Sequence, residues 1–199
     1  MSLRLRLLSH WTPHFMMVRE IERVRSCTDA SLDALLAEHV PEALAEEPEM
    51  AGPGAPERRA AMARSHERKV RALVNAVGRE RAIALGREAL FRTGMELGKD
   101  ARHRLGARET KEDLMRAAGV LYRILGIEFV IMAGQECERM EVTRCALSAH
   151  YSPEACAILS AVDEGTISGL NPGASMRFRE HITDGCPRCV AIVDFKEER

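Results

Sequence analysis

The N-terminal part of the chain carries apolar residues at helical spacing. They recur every three or four positions from Met17 to Val24, after a Thr12-Pro13 pair of the kind that begins a helix. The same spacing from Asp29 to Val40 predicts a second short helix. Proline and glycine are concentrated between residues 46 and 56, which indicates a linker. We therefore expect residues 1–56 to form a helical arm that precedes the main domain.

From Glu57 to Leu105 the apolar residues again follow the helical period, and the pattern predicts two helices separated near Gly78. The second of these helices contains Gly86, Gly94 and Gly98. A glycine inside a helix costs about 1 kcal/mol relative to alanine, so three glycines need a compensating role. They predict either close packing against a neighbouring backbone or a ligand that lies along the helix.

The C-terminal half mixes helical and alternating patterns. The segment from Thr110 to Asp113 resembles a capping box, and the helix that it begins is expected to end at Gly126. A further helix is predicted from Ser152-Pro153-Glu154 to Asn171. Four strands are predicted, the first two joined by a turn at residues 134–136: Ile127–Ala133, Glu138–Cys145, Ser175–Thr183 and Cys189–Phe195.

These elements predict an α+β fold. An antiparallel four-stranded sheet of hairpins would pack with helices over residues 57–199, preceded by the N-terminal helical arm. No repeat indicates a solenoid.

Charge and composition narrow the classes of function. The net charge is −1, and arginines alternate with glutamates from Glu57 to Arg71, which indicates a solvated helix face and argues against a nucleic-acid partner. No apolar run approaches the roughly 20 residues that cross a bilayer, so we expect no membrane partner. His10 and Pro13 interrupt the first apolar stretch before a signal-peptide core forms, which predicts a cytoplasmic protein. The methionine-rich apolar stripe of the arm predicts docking on a second copy, as a homodimer.

The candidate chemistry is concentrated from Val142 to Phe195, which holds four of the six cysteines. In the cytoplasm such cysteines are thiols, metal ligands or catalytic groups more often than disulfides. Cys156 lies about one turn into its helix, where the positive end of the helix dipole is expected to lower the thiol pKa. Asp163 follows two turns later on the same face with Glu164 beside it, so the three residues form a candidate nucleophile and general acid–base set. The alternative is a buried structural cysteine with solvated carboxylates.

Two further groups leave alternatives open. Cys145 ends a predicted strand and His150 follows it, so the imidazole is a candidate base for a thiol or a plain surface residue. His181 falls on the polar face of its predicted strand and is expected to face solvent. Cys186 and Cys189 have the spacing of a metal knuckle for zinc or iron, which Cys145, Cys156, His150 or His181 would have to complete. A redox pair is less favoured, because the two cysteines span a hairpin turn and do not begin a helix. No motif requires an organic cofactor, since phosphate-binding glycine loops and a serine nucleophile elbow are absent.

The C-terminal third resembles a known family in the order and spacing of its motifs. The matching segments are Arg144-Cys145, Glu154-Ala155-Cys156, Val162-Asp163-Glu164-Gly165, Gly169-Leu170-Asn171-Pro172, Glu180, Gly185 and Cys189. This pattern is similar to the L-2-amino-thiazoline-4-carboxylate hydrolase family. The helical part from Gly86 to Gly98 is also loosely similar to 4-vinyl reductase-type small-molecule-binding domains.

The first resemblance implies hydrolytic opening of a thiazoline ring to an N-carbamoyl cysteine. It implies site roles for Cys145, Cys156, Asp163, Asn171 and Cys189, whereas Cys186 departs from the family pattern, in which that turn more often carries an acidic residue. For such a substrate, Asp163 or Glu164 would activate water, or Cys156 or Cys145 would attack as a thiolate. Arg144 or Arg177 would hold the substrate carboxylate through a bidentate pair. The rival hypothesis is a small-molecule-binding or sensor domain whose cysteines hold a metal or pack.

Overall fold

The computed structural model describes residues 2–41, 52–133 and 138–195. Over these ranges the chain forms six α-helices, four strands and two short 3₁₀ turns. The helices are α1 Leu3–His10, α2 His14–His39, α3 Ala55–Val77, α4 Arg79–Leu105, α5 Lys111–Leu125 and α6 Pro153–Leu170; the strands are β1 Ile127–Ala133, β2 Glu138–Cys145, β3 Ala174–Glu180 and β4 Cys189–Phe195; the 3₁₀ turns are Ser148–His150 and Ile182–Asp184. None of the described helices is long and apolar enough to cross a membrane.

The four strands form one antiparallel sheet in the order β1-β2-β4-β3. This confirms the predicted α+β class and the pairing of the first two strands, although the predicted turn at residues 134–136 lies outside the described residues. β3 ends at Glu180, short of the predicted Thr183, because the chain turns into the 3₁₀ segment at Ile182. The sheet, α5 and α6 enclose the main core, in which Met140, Ile167 and Ala191 are buried.

The start of each helix follows the predicted capping chemistry in the C-terminal half. The Thr110 hydroxyl accepts a hydrogen bond from the Asp113 amide at the start of α5, and Gly126 ends that helix with φ +71°, a left-handed conformation that favours glycine. Ser152 caps α6 by accepting a hydrogen bond from the Ala155 amide. These caps place the first turn of α6, and therefore Cys156, next to the end of β2.

The arm differs from its prediction. The two predicted short helices form one continuous helix, α2. The polar residues between the predicted helices do not interrupt it: the Thr28 hydroxyl, for example, donates a hydrogen bond to the Val24 carbonyl of the same helix at 2.8 Å. Its buried face, which includes Ile21 and Leu32, packs against α3 and α4. The predicted boundary at residue 56 stays a prediction, since most of the linker lies outside the described residues.

The predicted close packing of the helical glycines is confirmed. A Cβ atom on Gly94 of α4 would lie 2.2 Å from the carbonyl oxygen of Val162, and one on Gly165 of α6 would lie 2.1 Å from the carbonyl oxygen of Phe91. The two backbones therefore touch, and no larger residue fits at these points without a shift of one helix. This contact fixes the face of α6 that points away from α4, which is the face that carries the candidate site.

Candidate functional site

A cavity of about 80 Å³ lies between α2, α3, α5, α6 and the sheet. Most of its wall is apolar, with contributions from Met62, Val142, Leu159 and Phe178. The polar groups that reach it are a carboxyl group, three thiols, two imidazoles and two phenols, together with the hydroxyls of Thr28 and Ser160. The cavity therefore combines a mostly apolar lining with a small set of groups that can exchange protons.

Asp163 supplies the carboxyl group, as the sequence predicted for a residue on the Cys156 face of α6. Burial raises the pKa of Asp163 to about 7, and the negative charge of the neighbouring Glu164 adds to this increase. The Tyr122 hydroxyl lies close enough to Asp163 to lower that pKa in part. It does not reach hydrogen-bond geometry and has no partner within the described ranges. Near neutral pH this carboxyl group can both accept and donate a proton.

Three of the predicted cysteines, Cys145, Cys156 and Cys189, converge on the same cavity. Burial raises the pKa of each thiol, and that of Cys156 rises to about 12. The predicted lowering of the Cys156 pKa is therefore wrong, because removing water from a thiolate outweighs the stabilisation from the start of α6. Cys189 is also held in place, since its sulfur accepts a hydrogen bond from the Ile182 amide at 3.3 Å. At neutral pH the cavity presents thiols and not thiolates.

His66 of α3, a buried histidine that was not among the predicted site residues, completes the wall. The His66 ring lies 2.7 Å from the Thr28 hydroxyl at Nε2 and 2.8 Å from the Tyr151 hydroxyl at Nδ1. Burial lowers the pKa of His66 to about 4, although Asp29, 3.9 Å away, acts in the opposite direction. The neutral tautomer that donates from Nε2 and accepts at Nδ1 satisfies the whole set, because Thr28 already donates to a backbone carbonyl. The signal in the sequence was one polar residue within an otherwise apolar helix face.

His181 also lines the cavity, so its predicted solvent-facing position is wrong. The reason is the early end of β3, after which the 3₁₀ turn brings the ring against Phe178 with 5.5 Å between the ring centroids. Its Nδ1 lies 3.3 Å from the Asp184 carboxylate.

Several predicted site residues lie away from the cavity. Glu164 is buried and accepts hydrogen bonds from Arg87 at 2.6 Å and from the Phe178 amide at 3.1 Å, so it joins α4, α6 and β3. Arg144 is exposed and pairs with Glu128 on the neighbouring strand at 3.2 Å. Arg177 is exposed on β3.

The remaining predicted residues have structural positions. Asn171 is buried at the end of α6, where its side-chain oxygen accepts a hydrogen bond from the Gly173 amide at 2.8 Å. His150 lies in the 3₁₀ turn after β2, and neither it nor Cys186 lines the cavity. Within the described ranges no group of three or more histidines, cysteines and carboxylates is arranged to hold a metal ion, which does not support the predicted zinc or iron site of Cys186 and Cys189.

Fold and cavity together define a class: an α+β domain with a mostly apolar cavity that carries an ionisable carboxyl group. A family model assigns it further. The L-2-amino-thiazoline-4-carboxylic acid hydrolase family matches residues 58–193, and the chain belongs to that family. This confirms the resemblance seen in the sequence.

The curated proteins contain no match to this chain. Among solved structures, a trafficking protein particle complex subunit 3 from Naegleria fowleri, covalently bound to palmitic acid, has a TM-score of 0.55 at 15% identity, over 70% of this chain and 95% of that one. The phenol-responsive sensory domain of the transcription activator PoxR, with phenol, has a TM-score of 0.47 at 19% identity, over 69% of this chain and 74% of that one. The similarity to the trafficking protein particle complex subunit is a similarity of fold alone.

Proposed function

We propose that the protein hydrolyses a small cyclic amidine in the central cavity, with Asp163 as the general base and then the general acid. The observation that carries this proposal is the position of the Asp163 carboxyl group in an apolar cavity, where its pKa of about 7 allows it to accept and to donate a proton near neutral pH. Membership of a hydrolase family supports the reaction class.

The reaction consumes one water molecule, whose two protons end on the ring nitrogen and the ring sulfur. The Asp163 carboxylate accepts one proton from the water as the water oxygen bonds to the amidine carbon, where an amino group, a ring nitrogen and a ring sulfur meet. The carbon–nitrogen double bond of the ring becomes a single bond, and the proton of the new hydroxyl group passes to that nitrogen. The carbon–sulfur bond then breaks, the proton held by Asp163 passes to the leaving sulfur, and the carbon becomes the carbonyl of a urea. One carbon–oxygen bond has formed and one carbon–sulfur bond has broken, so the step balances as a hydrolysis.

The thiols take a secondary part in this scheme. Because Cys145 and Cys156 are protonated at neutral pH, direct attack by either sulfur would first require removal of a proton at considerable cost. We therefore assign the thiols to the wall that positions the ring. A covalent route through Cys156 is the alternative within the same reaction class.

Turnover of 2-amino-2-thiazoline compounds, followed by mass spectrometry of the opened product, tests the assignment. Asp163→Asn should lower the rate at least a hundredfold, whereas Cys156→Ser should stay within about tenfold of the parent. Asp194→Asn, the same chemical change at an exposed position, is the control. Normal turnover in the Asp163 variant would reject the proposal, and loss of turnover in the Cys156 variant alone would establish the covalent route.

A second candidate function is binding without turnover, as in a sensor domain. The observation in its favour is that mostly apolar side chains surround the protonated thiols. Such a lining suits a site that only binds a small ligand as well as one that hydrolyses it. Saturable binding of a thiazoline by a wild-type protein that never opens the ring would establish this candidate.

Two coarser expectations also remain proposals. The five described cysteines are all free thiols, which suits the reducing cytoplasm. The arm exposes Leu3, Leu7, Trp11 and Phe15, each with more than 60% of its surface accessible, and we propose that this row forms the dimer contact. Light scattering of a Leu7→Glu/Trp11→Glu variant tests the dimer, and an unchanged mass relative to the wild type would reject it.

A further inference from the structure

A chain of three hydrogen-bonded side chains reaches the cavity from α2. The Thr28 hydroxyl lies 2.8 Å from the carbonyl oxygen of Val24 and 3.1 Å from that of Arg25. The Thr28 oxygen lies 2.7 Å from Nε2 of His66, and Nδ1 of that ring lies 2.8 Å from the Tyr151 hydroxyl. Thr28 and His66 are each only 1% exposed, and all three side chains line the cavity. The positions of the hydrogens in this chain are therefore set by the three groups and the backbone.

The direction of each hydrogen bond follows from the backbone end of the chain. A carbonyl oxygen can only accept, so the Thr28 hydroxyl donates to it; otherwise two acceptor oxygens would face each other at 2.8 Å. Thr28 must then accept from Nε2 of the neutral His66 ring, and Nδ1 must accept from the Tyr151 hydroxyl. The Asp29 carboxylate, 3.9 Å from Nε2, also favours the hydrogen on that nitrogen, because opposite partial charges attract. The hydroxyl hydrogen of Tyr151 is thus engaged by His66.

Tyr151 therefore offers a ligand only the lone pairs of its oxygen. A phenol has one hydrogen to donate and two lone pairs that accept, and this hydrogen is already used. Three other polar groups of the wall have no such fixed direction. The Tyr122 hydroxyl and Nε2 of His181 have no hydrogen-bond partner within the described ranges, and Asp163 can hold or release its proton. Tyr151 can consequently distinguish a ligand donor from a ligand acceptor, whereas these three groups can adapt to either.

We propose that Tyr151 is a specificity-determining residue whose oxygen accepts a hydrogen bond from an amino group of the ligand, and that Thr28 and His66 are positioning residues that keep Tyr151 in this acceptor state. The proposal rests on the proposed function only in taking the ligand to be a small heterocycle with an exocyclic amino group. A ligand with a methyl group at the same place loses this hydrogen bond, and one with an acceptor there opposes the lone pairs of Tyr151. Because Thr28 lies in α2, before the residues that the family model matches, this selectivity depends on the arm.

Nitrogen-15 NMR of the His66 ring at neutral pH tests the direction of the chain without a ligand. We expect the hydrogen on Nε2 in the wild type, and His66→Gln identifies the signals of this ring among those of the seven histidines. Thr28→Val removes the oxygen that accepts from Nε2, so the hydrogen should move at least partly to Nδ1, whereas Thr28→Ser should restore the wild-type spectrum. Hydrogen on Nδ1 in the wild type would overturn the proposal, since Tyr151 would then be free to donate. An unchanged spectrum in Thr28→Val would reject Thr28 as a positioning residue.

Two aromatic rings of the same shape test the ligand group. 2-Aminothiazole and 2-methylthiazole differ only in an amino group against a methyl group, and their aromatic rings resist hydrolysis, so NMR titration measures binding without turnover. The preference for the amino compound should fall about fivefold in Tyr151→Phe, which is the contribution of one hydrogen bond. Thr28→Val should lower the preference in the same direction, and Thr28→Ser should retain it. Thr93→Val is the matched control, because the Thr93 hydroxyl also donates to the carbonyl four residues earlier, that of Ala89, but does not line the cavity.

Binding and turnover separate this proposal from the proposed function. An unchanged preference in Tyr151→Phe would reject Tyr151 as the acceptor, even if the wild type opens 2-amino-2-thiazoline, and would leave the reaction standing. A reduced preference in a protein that never opens the thiazoline would reject the reaction and leave the role of Tyr151 standing. No measurable binding of either thiazole by the wild type would reject the ligand class. If Tyr151→Phe does not fold, equal preferences in Thr28→Val and Thr28→Ser still reject the proposal.

Discussion

At the scale of single residues, burial disfavours the charged forms of two titratable groups in the site. Burial raises the pKa of Asp163 and lowers that of His66, because the charged form of either group loses its hydration in the cavity. The two shifts affect stability in opposite directions. For Asp163 the stabilising effect is present below about pH 4 and is lost as the pH rises through 7; for His66 it is present above about pH 6.5 and is lost as the pH falls towards 4.

Asp163→Asn should therefore stabilise the protein at pH 8, where the wild type keeps a buried charge. One pKa unit corresponds to about 1.4 kcal/mol, so the free energy of unfolding should rise by up to about 4 kcal/mol at pH 8 and change little at pH 4. Urea unfolding at both values measures the difference. The variant should then lose stability as the pH falls from 6.5 to 4, since the effect of His66 is no longer offset. Equal destabilisation at pH 4 and pH 8 would contradict the assigned burial.

Thiol reactivity provides a second prediction at this scale. Because burial raises the thiol pKa values of Cys145, Cys156 and Cys189, iodoacetamide at pH 8 should modify them at least tenfold more slowly than the exposed Cys27. Peptide mapping by mass spectrometry gives the rate for each residue, and urea-unfolded protein serves as the reference. Rapid labelling of Cys156 in the folded protein would indicate a thiolate and would support the covalent route through this residue.

At the scale of elements, the contact between α4 and α6 determines where the site lies. The backbones touch at Gly94 and Gly165, and the opposite face of α6 then presents Cys156 and Asp163 to the cavity. The Arg87–Glu164 pair links the same two helices from the side and continues to β3. Glu164 thus acts in the placement of Asp163, although it does not reach the cavity.

Gly94→Ala should test this contact, since the new methyl group would lie 2.2 Å from a backbone oxygen. We expect a loss of about 1–3 kcal/mol in unfolding free energy and weaker ligand binding, because α6 must shift away. Gly119→Ala in α5 is the matched control, because nothing lies within 4 Å of its Cβ position. It should be neutral or stabilise the protein by up to about 1 kcal/mol through helix propensity. Similar melting curves for the two variants would show that the helices are not in contact.

At the scale of the whole molecule, the cavity extends beyond the part of the chain that the family model matches. That match begins at residue 58, yet Val24 and Thr28 of α2 line the cavity, and Thr28 contacts His66. The arm is therefore a wall of the site in addition to a candidate dimer contact.

A chain that begins at residue 52 should consequently lose cooperative thermal unfolding and bind the hydrophobic dye ANS, because removal of α2 exposes the core of α3 and α4. Near-ultraviolet circular dichroism and differential scanning calorimetry measure this outcome. A melt as sharp as that of the full chain, with ligand binding retained, would show that residues 1–51 are a dispensable arm.

Local patterns along the chain predict much of the fold. The caps at Thr110 and Ser152, the break at Gly78 and the strand-like segments of β1, β2 and β4 depend on neighbours within a few residues, and all are as predicted. Positions that a distant contact decides differ from the prediction. The pattern divides α2, because Thr28 meets His66 of α3 only after the helices pack, and it places His181 in solvent, because the end of β3 depends on the turn that follows.

The amino-acid sequence by itself therefore determined the α+β class, most element boundaries in the C-terminal half and the family to which the chain belongs. It also brought Cys145, Cys156, Asp163 and Cys189 together as a candidate site, since helical and strand periods show which residues share a face. The tertiary structure alone decided the chemical state of that site. Ionisation depends on how much water is removed by residues far apart in the chain, and burial of the cavity turns the expected thiolate into a thiol and gives Asp163 its proton near neutral pH.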